Sequence, residues 1–464
     1  MTISPTLDNL NRSNQQSELT LGAGDYSLLT DLYQLTMAAC YTGEGIEQSW
    51  ASFEMFVRRL PSGFGYLIAM GLEQVVDYLE KFRFSPQQIA ALQATGIFAH
   101  APDSFWSLLG SGGFTGDVWA VPEGTAVFAN EPLLRVEAPL WQAQIVETYL
   151  LNTLNYQTLI ATRAARMRDV AGKEAKLLEF GTRRAFSPQA SLWAARAALA
   201  AGFDATSNVL AALQLGQQPS GTMAHALVMA LSAMEGNEDA AFSAFHRYFP
   251  GASLLIDTYD TIAAAKGLAE LVKSGEMTLT GVRLDSGDLV ALSQEVRSLL
   301  PGVSIIASGD LDEWEIARLK ACGAEINSYG IGTRLVTGTP VNGVYKLVDI
   351  NGIPVMKSAT GKLTYPGRKQ IFRRFDGEKV QGDRLGLVTE TAVGEQPLLQ
   401  LVIKEGKRVQ PQQSLGEIRS HTAASVASLP QETRQLDNPV AVNVEISGEL
   451  QKLTQKTRDM GHRA

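Results

Sequence analysis

The sequence predicts an α/β protein that combines an incomplete parallel β/α barrel with a second, β-rich α+β domain. Short apolar segments alternate with helical patterns between residues 171 and 338, which is typical of β/α repeats with parallel strands. Strand-like alternation and turn residues dominate the segments on both sides of that stretch. Polar residues follow almost every short central strand. An open doubly wound sheet would concentrate them at one crossover point, so this distribution favours a barrel.

The N-terminal and C-terminal segments are predicted to form one domain, from residues 25–170 and 339–428. Helices are predicted at 25–41, 71–82, 86–96, 102–109 and 141–170, with strands at 50–57 and within 116–139. After Gly338 the predicted strands are 344–348, 354–357, 369–375, 385–389 and 398–403. We expect these strands to fold back onto the N-terminal strands. Residues 1–24 are predicted to be a mobile tail, and residues 429–464 a tail that ends in a surface helix at 448–458.

The barrel is assigned to residues 171–338 as the catalytic domain. Its predicted strands are 177–180, 205–207, 254–256, 280–284 and 303–307. Its predicted helices are 188–201, 208–215, 261–273, 288–300 and 312–321, with another that begins near Ala224. Because a barrel brings the carboxyl ends of its strands to one face, we expect the chemistry there.

Composition excludes several classes of protein. The chain has 464 residues, and 40 Lys and Arg against 48 Asp and Glu give a net charge of −8, which disfavours nucleic-acid binding. Cys40 and Cys322 are its only cysteines, so neither a disulfide scaffold nor a zinc cluster is expected. No segment approaches the ~20 apolar residues of a membrane span, and the polar start lacks the apolar core of a signal peptide. These features favour a cytoplasmic protein without a membrane partner.

The most informative motif is Arg283-Leu284-Asp285-Ser286-Gly287-Asp288, at a predicted strand end. An Arg beside an Asp suits a polyanion that is held partly through a metal ion. The Arg takes the phosphate, and the Asp takes the cation or a sugar hydroxyl. Asp288 is either a second metal-site carboxylate or the cap of the following helix.

Six further polar motifs follow the other strands. They are 179–184, 204–208, 220–225, 257–260, 308–310 and 330–333. In this set Ser308-Gly309 and Gly330-Ile331-Gly332-Thr333 suit a phosphate, because glycine lets backbone amides approach oxygens closely, although simple turns fit too. Arg183 and Arg184 are either a salt-bridged or solvated pair, or they bind a polyanion.

Three residue groups remain open to two interpretations. His225 is a capping or packed residue, or a nucleophile that carries phosphate, and no second His or Cys nearby suggests zinc. Tyr33 is an aromatic that packs in the core or at an interface. The basic segment Lys362–Lys369 is a solvated hairpin or a lid that carries cations towards phosphates.

Together these motifs resemble the nicotinate phosphoribosyltransferase family, over nearly the whole chain apart from its two ends. The segments that carry the resemblance are 28–37, 179–184, 202–208, 220–225, 283–288, 329–333, 344–348 and 365–370. No single segment is specific, but the ordered set is.

The resemblance implies an enzyme that joins nicotinate to 5-phosphoribosyl 1-diphosphate. The products are nicotinate mononucleotide and diphosphate, ATP is hydrolysed alongside, and the step leads from nicotinate into NAD. The resemblance also implies Mg2+ as cofactor, an α/β barrel with a domain built from both chain ends, and a homodimer with shared active sites.

Residue roles follow from the same resemblance. His225 matches the histidine that ATP phosphorylates. Tyr33, Phe180, Thr222 and Arg283 match nicotinate contacts, with Tyr33 reaching a neighbouring subunit's site. The residues that match the phosphoribosyl diphosphate site are Arg183, Asp285, Ser308, Gly309, Gly330, Gly332 and Thr333, and Asp285 and Asp288 are the metal candidates. Asp204 matches an acidic position of the related nicotinamide-using enzyme.

Alternative functions remain. A nicotinamide-using or quinolinate-using phosphoribosyltransferase would share the motifs. A barrel lyase would need a Schiff-base lysine at a strand end, and none of the seven motifs contains one. A non-catalytic metabolite-binding relative is disfavoured by the intact set of polar residues.

Overall fold

The middle of the chain forms a six-stranded parallel sheet, and its two ends together form a seven-stranded antiparallel sheet. The computed structural model describes residue 19, residues 21–359 and residues 362–461. Most of the predicted N-terminal tail, residues 1–18 and 20, lies outside the described residues. Among the helices in these ranges, none combines the length and apolar composition needed to cross a lipid bilayer.

The parallel sheet confirms the predicted β/α layer. Its strands lie in the order Ala205–Thr206, Lys176–Glu179, Ser328–Ile331, Ser304–Ser308, Gly281–Leu284 and Leu254–Leu255. The hydrogen-bonded order is open, and beyond its first strand the backbone amide of Ser220 donates to the carbonyl of Thr206 at 2.9 Å. The helices that cover the sheet are Pro188–Ala200, Val209–Gln214, His225–Glu235, Asp239–Tyr248, Thr261–Ser274, Leu289–Leu299, Glu313–Ala321 and Thr333–Val336.

Capping residues begin most of these helices directly after the strands. Side chains of Ser187, Asn208, Asp260, Asp288 and Asp312 accept hydrogen bonds from backbone amides of the first helical turn. Each cap satisfies amides that have no partner within the helix. The strand-to-helix loops are therefore short and ordered, which fixes the positions of the side chains that they carry.

The antiparallel sheet joins strands from both ends of the chain, as predicted. Its order is Ile353–Pro354, Val344–Ile350, Trp50–Phe56, Pro132–Pro139, Asp117–Ala120, Gln400–Lys404 and Lys407–Arg408. The N-terminal helices are Leu32–Gly43, Leu72–Lys81, Pro86–Ala94, Asp103–Leu109, Leu140–Ile145 and Glu147–Ala171, after a short 3-10 helix at Ala23–Leu28. Small hairpins pair Leu67–Ile68 with Ala126–Val127 and Ser358–Ala359 with Lys362–Leu363.

A further four-stranded sheet extends the C-terminal part of the chain. Its order is Gln396–Pro397, Lys369–Asp376, Lys379–Leu387 and Val444–Ile446. The last strand pairs in parallel with residues 383–385, although the sequence predicted a tail there. The C-terminal helices are Leu415–Ser428, Gln431–Arg434 and Gly448–Gly461, and the first of them was not predicted. The three residues after 461 lie outside the described residues.

A buried ion pair anchors the C-terminal segment to the first antiparallel strand. The ammonium of Lys369 lies 2.8 Å from Glu54 Oε2, and the two side chains are 3% and 0% exposed. The same ammonium donates to the carbonyls of Tyr365 and Gly367 at 2.6 and 2.8 Å. Burial lowers the pKa of Lys369, and the charge of Glu54 opposes that shift. Neither interpretation of the 362–369 segment accounts for Lys369, because its charge is buried and structural rather than solvated or directed towards a ligand.

Candidate functional site

The carboxyl ends of three neighbouring parallel strands are tied together by Asp257 and Asp285. Asp257 Oδ2 accepts hydrogen bonds from the backbone amide of Asp285 at 2.8 Å and from the Ser286 hydroxyl at 2.7 Å. The Ser308 hydroxyl donates to Asp285 Oδ1 at 2.5 Å. Because the strands are parallel, these residues share one edge of the sheet, as the sequence predicted.

Arg283 presents an incompletely paired guanidinium at this edge. Its Nη1 donates to Thr222 Oγ1 at 2.5 Å, while its buried Nε has no hydrogen-bond partner among the described residues. Burial lowers the pKa of Arg283, nearby Asp285 and Asp257 oppose that shift, and the charge of Arg183 adds to it. A partly desolvated guanidinium with unfilled donors is well suited to bind an anion.

His225 is accessible and is oriented by the neighbouring strand end. Its Nδ1 lies 3.1 Å from the Thr258 hydroxyl, and its Nε2 lies 3.9 Å from Asp257 Oδ1. That carboxylate oxygen is buried and has no hydrogen-bond partner among the described residues. The imidazole is 39% exposed, and Ala224, not His225, occupies the cap position of the helix. The capping interpretation of His225 is therefore wrong.

The glycine turns permit close approaches that a side chain would block. Gly309 has a φ of +94°, and a Cβ atom there would lie 2.3 Å from the carbonyl oxygen of Asp285. A Cβ at Gly330 would lie 2.5 Å from the Phe180 ring, and one at Gly332 would lie 3.2 Å from the Phe180 carbonyl. The backbone of Gly309 therefore lies directly against the Asp285 loop, and the backbone of Gly330 lies directly against the Phe180 ring. Thr333 begins the short helix that follows, with a half-buried side chain.

A buried carboxyl group, Glu179, supports the turn that carries Phe180 and Arg183. Its Oε2 accepts from the Thr206 hydroxyl at 2.5 Å, and its Oε1 accepts from the backbone amide of Gly181. Burial raises the pKa of Glu179. No role was predicted for Glu179, although an acidic residue that ends an apolar strand was the available signal. The Arg183 side chain above this turn is exposed.

Two acidic candidates lie outside this cluster or have another role. Asp288 Oδ1 accepts from the backbone amides of Val290 and Ala291 at 3.1 and 3.3 Å, so it caps the following helix. Asp204 precedes its strand and therefore lies at the amino-terminal edge of the sheet. Its Oδ2 accepts from the backbone amide of Leu177 at 2.8 Å, so its expected place among the strand-end motifs is wrong.

Tyr33 lies in a second polar cluster, on the N-terminal part of the chain. The side chain is 49% exposed, and no hydrogen bond joins it to the strand-end residues within the described part of the chain. Burial raises the pKa of Tyr33, and the charge of Glu147 adds to that shift. Burial lowers the pKa of Lys346, Glu147 opposes that shift, and the nearby cations Arg58 and Lys357 add to it. A role for these cations was not predicted, although Arg58 directly follows the predicted strand 50–57 in a turn-rich loop.

The described ranges contain no group of three or more His, Cys, Asp and Glu side chains arranged to hold a metal ion. At the strand ends the Asp257 carboxylate accepts from the backbone amide of Asp285, the Asp285 carboxylate accepts from Ser308, and Asp257 Oδ1 is buried without a hydrogen-bond partner among the described residues. Mg2+ usually takes one or two protein carboxylates and completes its shell with water and substrate phosphates. The donor set therefore fits a Mg2+ ion that binds together with a phosphorylated ligand.

Three family models match the chain in order. The N-terminal domain model of nicotinate phosphoribosyltransferase matches residues 28–155. The nicotinate phosphoribosyltransferase family model matches residues 175–370, and the C-terminal domain model matches residues 387–454. The matches include the strand-end cluster and the Tyr33 cluster.

Curated relatives and solved structures agree with these models. A nicotinate phosphoribosyltransferase of Mycobacterium tuberculosis is 41% identical over 443 residues, which cover 92% of this chain and 94% of the relative. The Bacillus subtilis enzyme of that name is 41% identical over 385 residues, 78% of this chain and 76% of the relative. The crystal structure of human nicotinic acid phosphoribosyltransferase superposes with a TM-score of 0.80, at 32% identity over 92% of this chain and 99% of that one. A nicotinate-nucleotide pyrophosphorylase from Pyrococcus furiosus gives a TM-score of 0.72, at 26% identity over 89% and 99%.

Proposed function

The chain belongs to the nicotinate phosphoribosyltransferase family, and from this premise we propose how its residues carry out the transfer. The enzyme joins nicotinate to 5-phosphoribosyl 1-diphosphate, which yields nicotinate mononucleotide and diphosphate for NAD biosynthesis. The observation that carries the assignment of roles is the contact between Arg283 and Thr222 at the strand ends.

Arg283 and Thr222 bind the carboxylate of nicotinate. Arg283 keeps unfilled donors next to the Thr222 hydroxyl, and a guanidinium matches a carboxylate in two parallel hydrogen bonds. The Phe180 ring, which lies against Gly330, stacks on the pyridine ring. A substrate without the carboxylate, such as nicotinamide, would leave the buried Arg283 charge unpaired.

The glycine turns and neighbouring polar groups bind 5-phosphoribosyl 1-diphosphate. Backbone amides in the turns at Ser308-Gly309 and Gly330–Thr333 hold the 5-phosphate, because glycine allows them to approach the oxygens. Arg183 and Asp285 lie at the diphosphate and ribose. Asp257 and Asp285 would hold Mg2+, which neutralises the charge of the diphosphate.

The reaction depends on positioning and charge stabilisation. The bond between ribose C1 and the diphosphate oxygen breaks, and the oxygen keeps the electron pair. The ring nitrogen of nicotinate then bonds to C1, where positive charge has developed. Arg183 and Arg283 stabilise the negative charge of the departing diphosphate, and the stacked pyridine ring is held in line for attack.

ATP is coupled to the transfer through His225. The Nδ1 atom is engaged by the Thr258 hydroxyl, so Nε2 is the nitrogen that attacks the γ-phosphorus of ATP. A P–N bond forms, the bond to the bridging oxygen breaks, and ADP leaves with the electron pair. Water later cleaves the phosphohistidine. The added negative charge between Asp257 and the substrate site changes the affinity for anions in each cycle.

His225→Ala tests the coupling. We expect it to abolish stimulation by ATP and leave a low, ATP-independent rate at high substrate, because the transfer residues remain in place. The measurement is nicotinate mononucleotide formation with and without ATP, and His246→Ala serves as a histidine control outside the site. Normal stimulation by ATP in His225→Ala would contradict the phosphohistidine assignment.

The functional enzyme is a homodimer that shares its sites. Tyr33 is half exposed and lies apart from the strand-end cluster of its own chain, together with the cations Arg58 and Lys346. Several large apolar side chains in the loops and helices that follow the parallel strands are exposed, among them Phe186, Val209, Leu213, Met229 and Tyr259. Such a surface favours coverage by a partner. In the dimer the Tyr33 cluster of one subunit completes the strand-end site of the other.

A cytoplasmic location fits the cysteines. Cys40 and Cys322 are both exposed and unbonded to each other. Exposed free thiols persist in a reducing compartment, so we assign the enzyme to the cytoplasm.

A product assay separates this function from its alternatives. The purified enzyme is incubated with 5-phosphoribosyl 1-diphosphate, Mg2+ and nicotinate, nicotinamide or quinolinate, with and without ATP. We expect product from nicotinate and stimulation by ATP. Product from nicotinamide, or carbon dioxide release from quinolinate, would assign a different substrate, and no product together with no labelling by γ-labelled ATP would favour a non-catalytic relative.

A further inference from the structure

A cavity of about 490 Å³ lies at the amino-terminal edge of the parallel sheet, opposite the strand-end site. Its walls come from the end of helix Glu147–Ala171, from the segments before strands Lys176–Glu179 and Ala205–Thr206, and from helix Leu415–Ser428. A volume of this size is typical of sites for small molecules. No residue assigned to the proposed transfer lines it.

The cavity is positively charged although the whole chain is acidic. Four cations line it, Arg168, Lys173, Arg419 and Arg434, against the two carboxylates Asp169 and Asp204. The local surplus of positive charge contrasts with the net charge of −8 of the chain. An acidic protein that binds an anion needs such a local concentration of cations.

Some of the cations that line the cavity keep donors without a hydrogen-bond partner among the described residues. Arg419 Nη2 lies 2.6 Å from Asp204 Oδ1, and Arg434 Nε lies 3.0 Å from Asp169 Oδ2. Arg419 also donates to the carbonyls of Phe203 and Gly202, and Arg434 Nη2 pairs with Asp169 Oδ1. Arg419 Nε and Arg434 Nη1 are therefore the nitrogens of these two groups that have no partner among the described residues. Lys173, at the rim, makes no hydrogen bond or ion pair with any other residue in the part of the chain that the structure describes.

Apart from Gly172, Gly202 and Thr422, the rest of the lining is apolar. Ala165, Ala201, Ala423, Val426 and Ala427 contribute small side chains without hydrogen-bonding groups. A planar ring packs well against such a wall, because it removes apolar surface from water without leaving polar groups unpaired. The cavity thus offers cations on one side and an apolar surface on the other.

We propose that this cavity binds a nucleotide with a terminal phosphate. The phosphate contacts Lys173, Arg434 Nη1 and Arg419 Nε, and the base lies on the alanine-rich wall of helix Leu415–Ser428. A phosphate dianion matches several cations better than a single carboxylate does. The proposal rests on the cavity alone and does not depend on the proposed transfer reaction.

Binding of AMP by isothermal titration calorimetry tests the proposal, with adenosine and inorganic phosphate as comparisons. Ala423→Trp fills the cavity from an exposed position, and Ala424→Trp adds the same bulk at the next exposed position, which faces a neighbouring cavity. Lys173→Glu reverses the charge at the rim, and Lys273→Glu does so at an exposed position on another helix. Circular dichroism verifies that each variant is folded.

We expect saturable binding of AMP to the wild type, with adenosine and phosphate each weaker. Ala423→Trp and Lys173→Glu should weaken AMP binding by about tenfold or more, since the first occupies the space of the ring and the second removes a contact to the phosphate. The two control variants should bind as the wild type does. The proposal is overturned by absent saturable binding, by equal affinity for adenosine, or by equal AMP affinity in Ala423→Trp and Ala424→Trp. If AMP instead bound at the site for ATP, all four variants would bind it with equal affinity, which distinguishes that site from the cavity.

Discussion

At the level of single residues, Gly309 determines how closely the turn after strand Ser304–Ser308 approaches the Asp285 loop. Its φ of +94° lies in the left-handed region, and an added Cβ would lie 2.3 Å from the Asp285 carbonyl oxygen. Glycine is therefore favoured at position 309 for two reasons: the positive φ and the lack of space for a side chain. Gly302 has a similar φ of +82° but has no atom near the added Cβ, so the two positions separate these requirements.

We predict that Gly302→Ala loses about 1 kcal/mol of unfolding free energy, because alanine is strained at positive φ. Gly309→Ala should lose more, because its Cβ would also lie 2.3 Å from the Asp285 carbonyl oxygen. Only Gly309→Ala should also lower kcat/KM, by about a hundredfold, since the displaced Asp285 loop carries site residues. Urea unfolding and nicotinate mononucleotide formation measure the two effects. Equal activity in both variants would show that the close approach has no role in the reaction.

Sequence alone identified the residues of the strand-end cluster but not the environment of several charged ones. In the sequence, Asp204 and Lys369 are both charged residues within or next to the motifs. In the structure, Asp204 lies at the opposite edge of the parallel sheet, and Lys369 is buried against Glu54. Their partners are distant in the sequence: Arg419 for Asp204, and Glu54 for Lys369. Local patterns carry no information about such pairs, and only the tertiary fold reveals them.

At the level of elements, the start of helix Leu289–Leu299 depends on Asp288. Its carboxylate accepts from two amides of the first turn. We predict that Asp288→Ala loses about 1 kcal/mol of unfolding free energy, as is typical when a cap is removed, and that Asp288→Asn keeps both stability and activity because an amide oxygen still caps. Thermal unfolding and kcat/KM check this. A stable Asp288→Asn variant with low activity would instead support a metal-site role.

The contact between the turn at Glu131 and strand Lys379–Leu387 should make stability depend on pH. Glu131 is fully buried, and burial, followed by the charge of Asp383, raises its pKa well above the usual value. Its Oε2 accepts from the Phe128 amide at 2.7 Å, and Asp383 is paired with Arg373 at 2.6 Å. The folded state therefore keeps the Glu131 carboxyl group protonated.

The pKa of Glu131 is higher in the folded state than in the unfolded state. At pH values between these two pKa values, unfolding releases a proton, so the free energy of unfolding falls as the pH rises. Glu131→Gln keeps a hydrogen-bond donor at this position but does not titrate. We therefore predict that the unfolding free energy of this variant depends less on pH. At pH 8 it should exceed the wild type by about 1–3 kcal/mol, and the difference should vanish near pH 4. Urea unfolding between pH 4 and 8 measures this, and parallel curves would contradict it.

Most elements could be predicted from the sequence, and helix Leu415–Ser428 shows why one was not. Its buried residues include Thr422 and Ser425 beside Ile418 and Val426. The buried face is thus half polar, so apolar spacing does not reveal it. The parallel strands were easier to recognise because both of their faces are buried, which gives short continuous apolar segments.

At the level of the whole molecule, a shared site makes a specific prediction about mixed dimers. If Tyr33 acts in the partner's site, a dimer of one His225→Ala and one Tyr33→Ala subunit contains one site with both changes and one intact site. Unfolding and refolding an equal mixture of the two variants should then restore about a quarter of wild-type sites. The measurement is ATP-stimulated product formation, with each variant refolded alone as control. No gain on mixing would place Tyr33 in its own subunit's site.

The ion pair between Glu54 and Lys369 has a consequence for synthesis on the ribosome. Strand Trp50–Phe56 emerges early, but its neighbour Val344–Ile350 and the partner of Glu54 emerge some 300 residues later. Until then one edge of that strand and a carboxylate meant for burial stay exposed, whereas the strands within 176–331 find their partners sooner. The nascent chain therefore holds an unpaired strand edge for most of its translation, which is the kind of surface that chaperones bind.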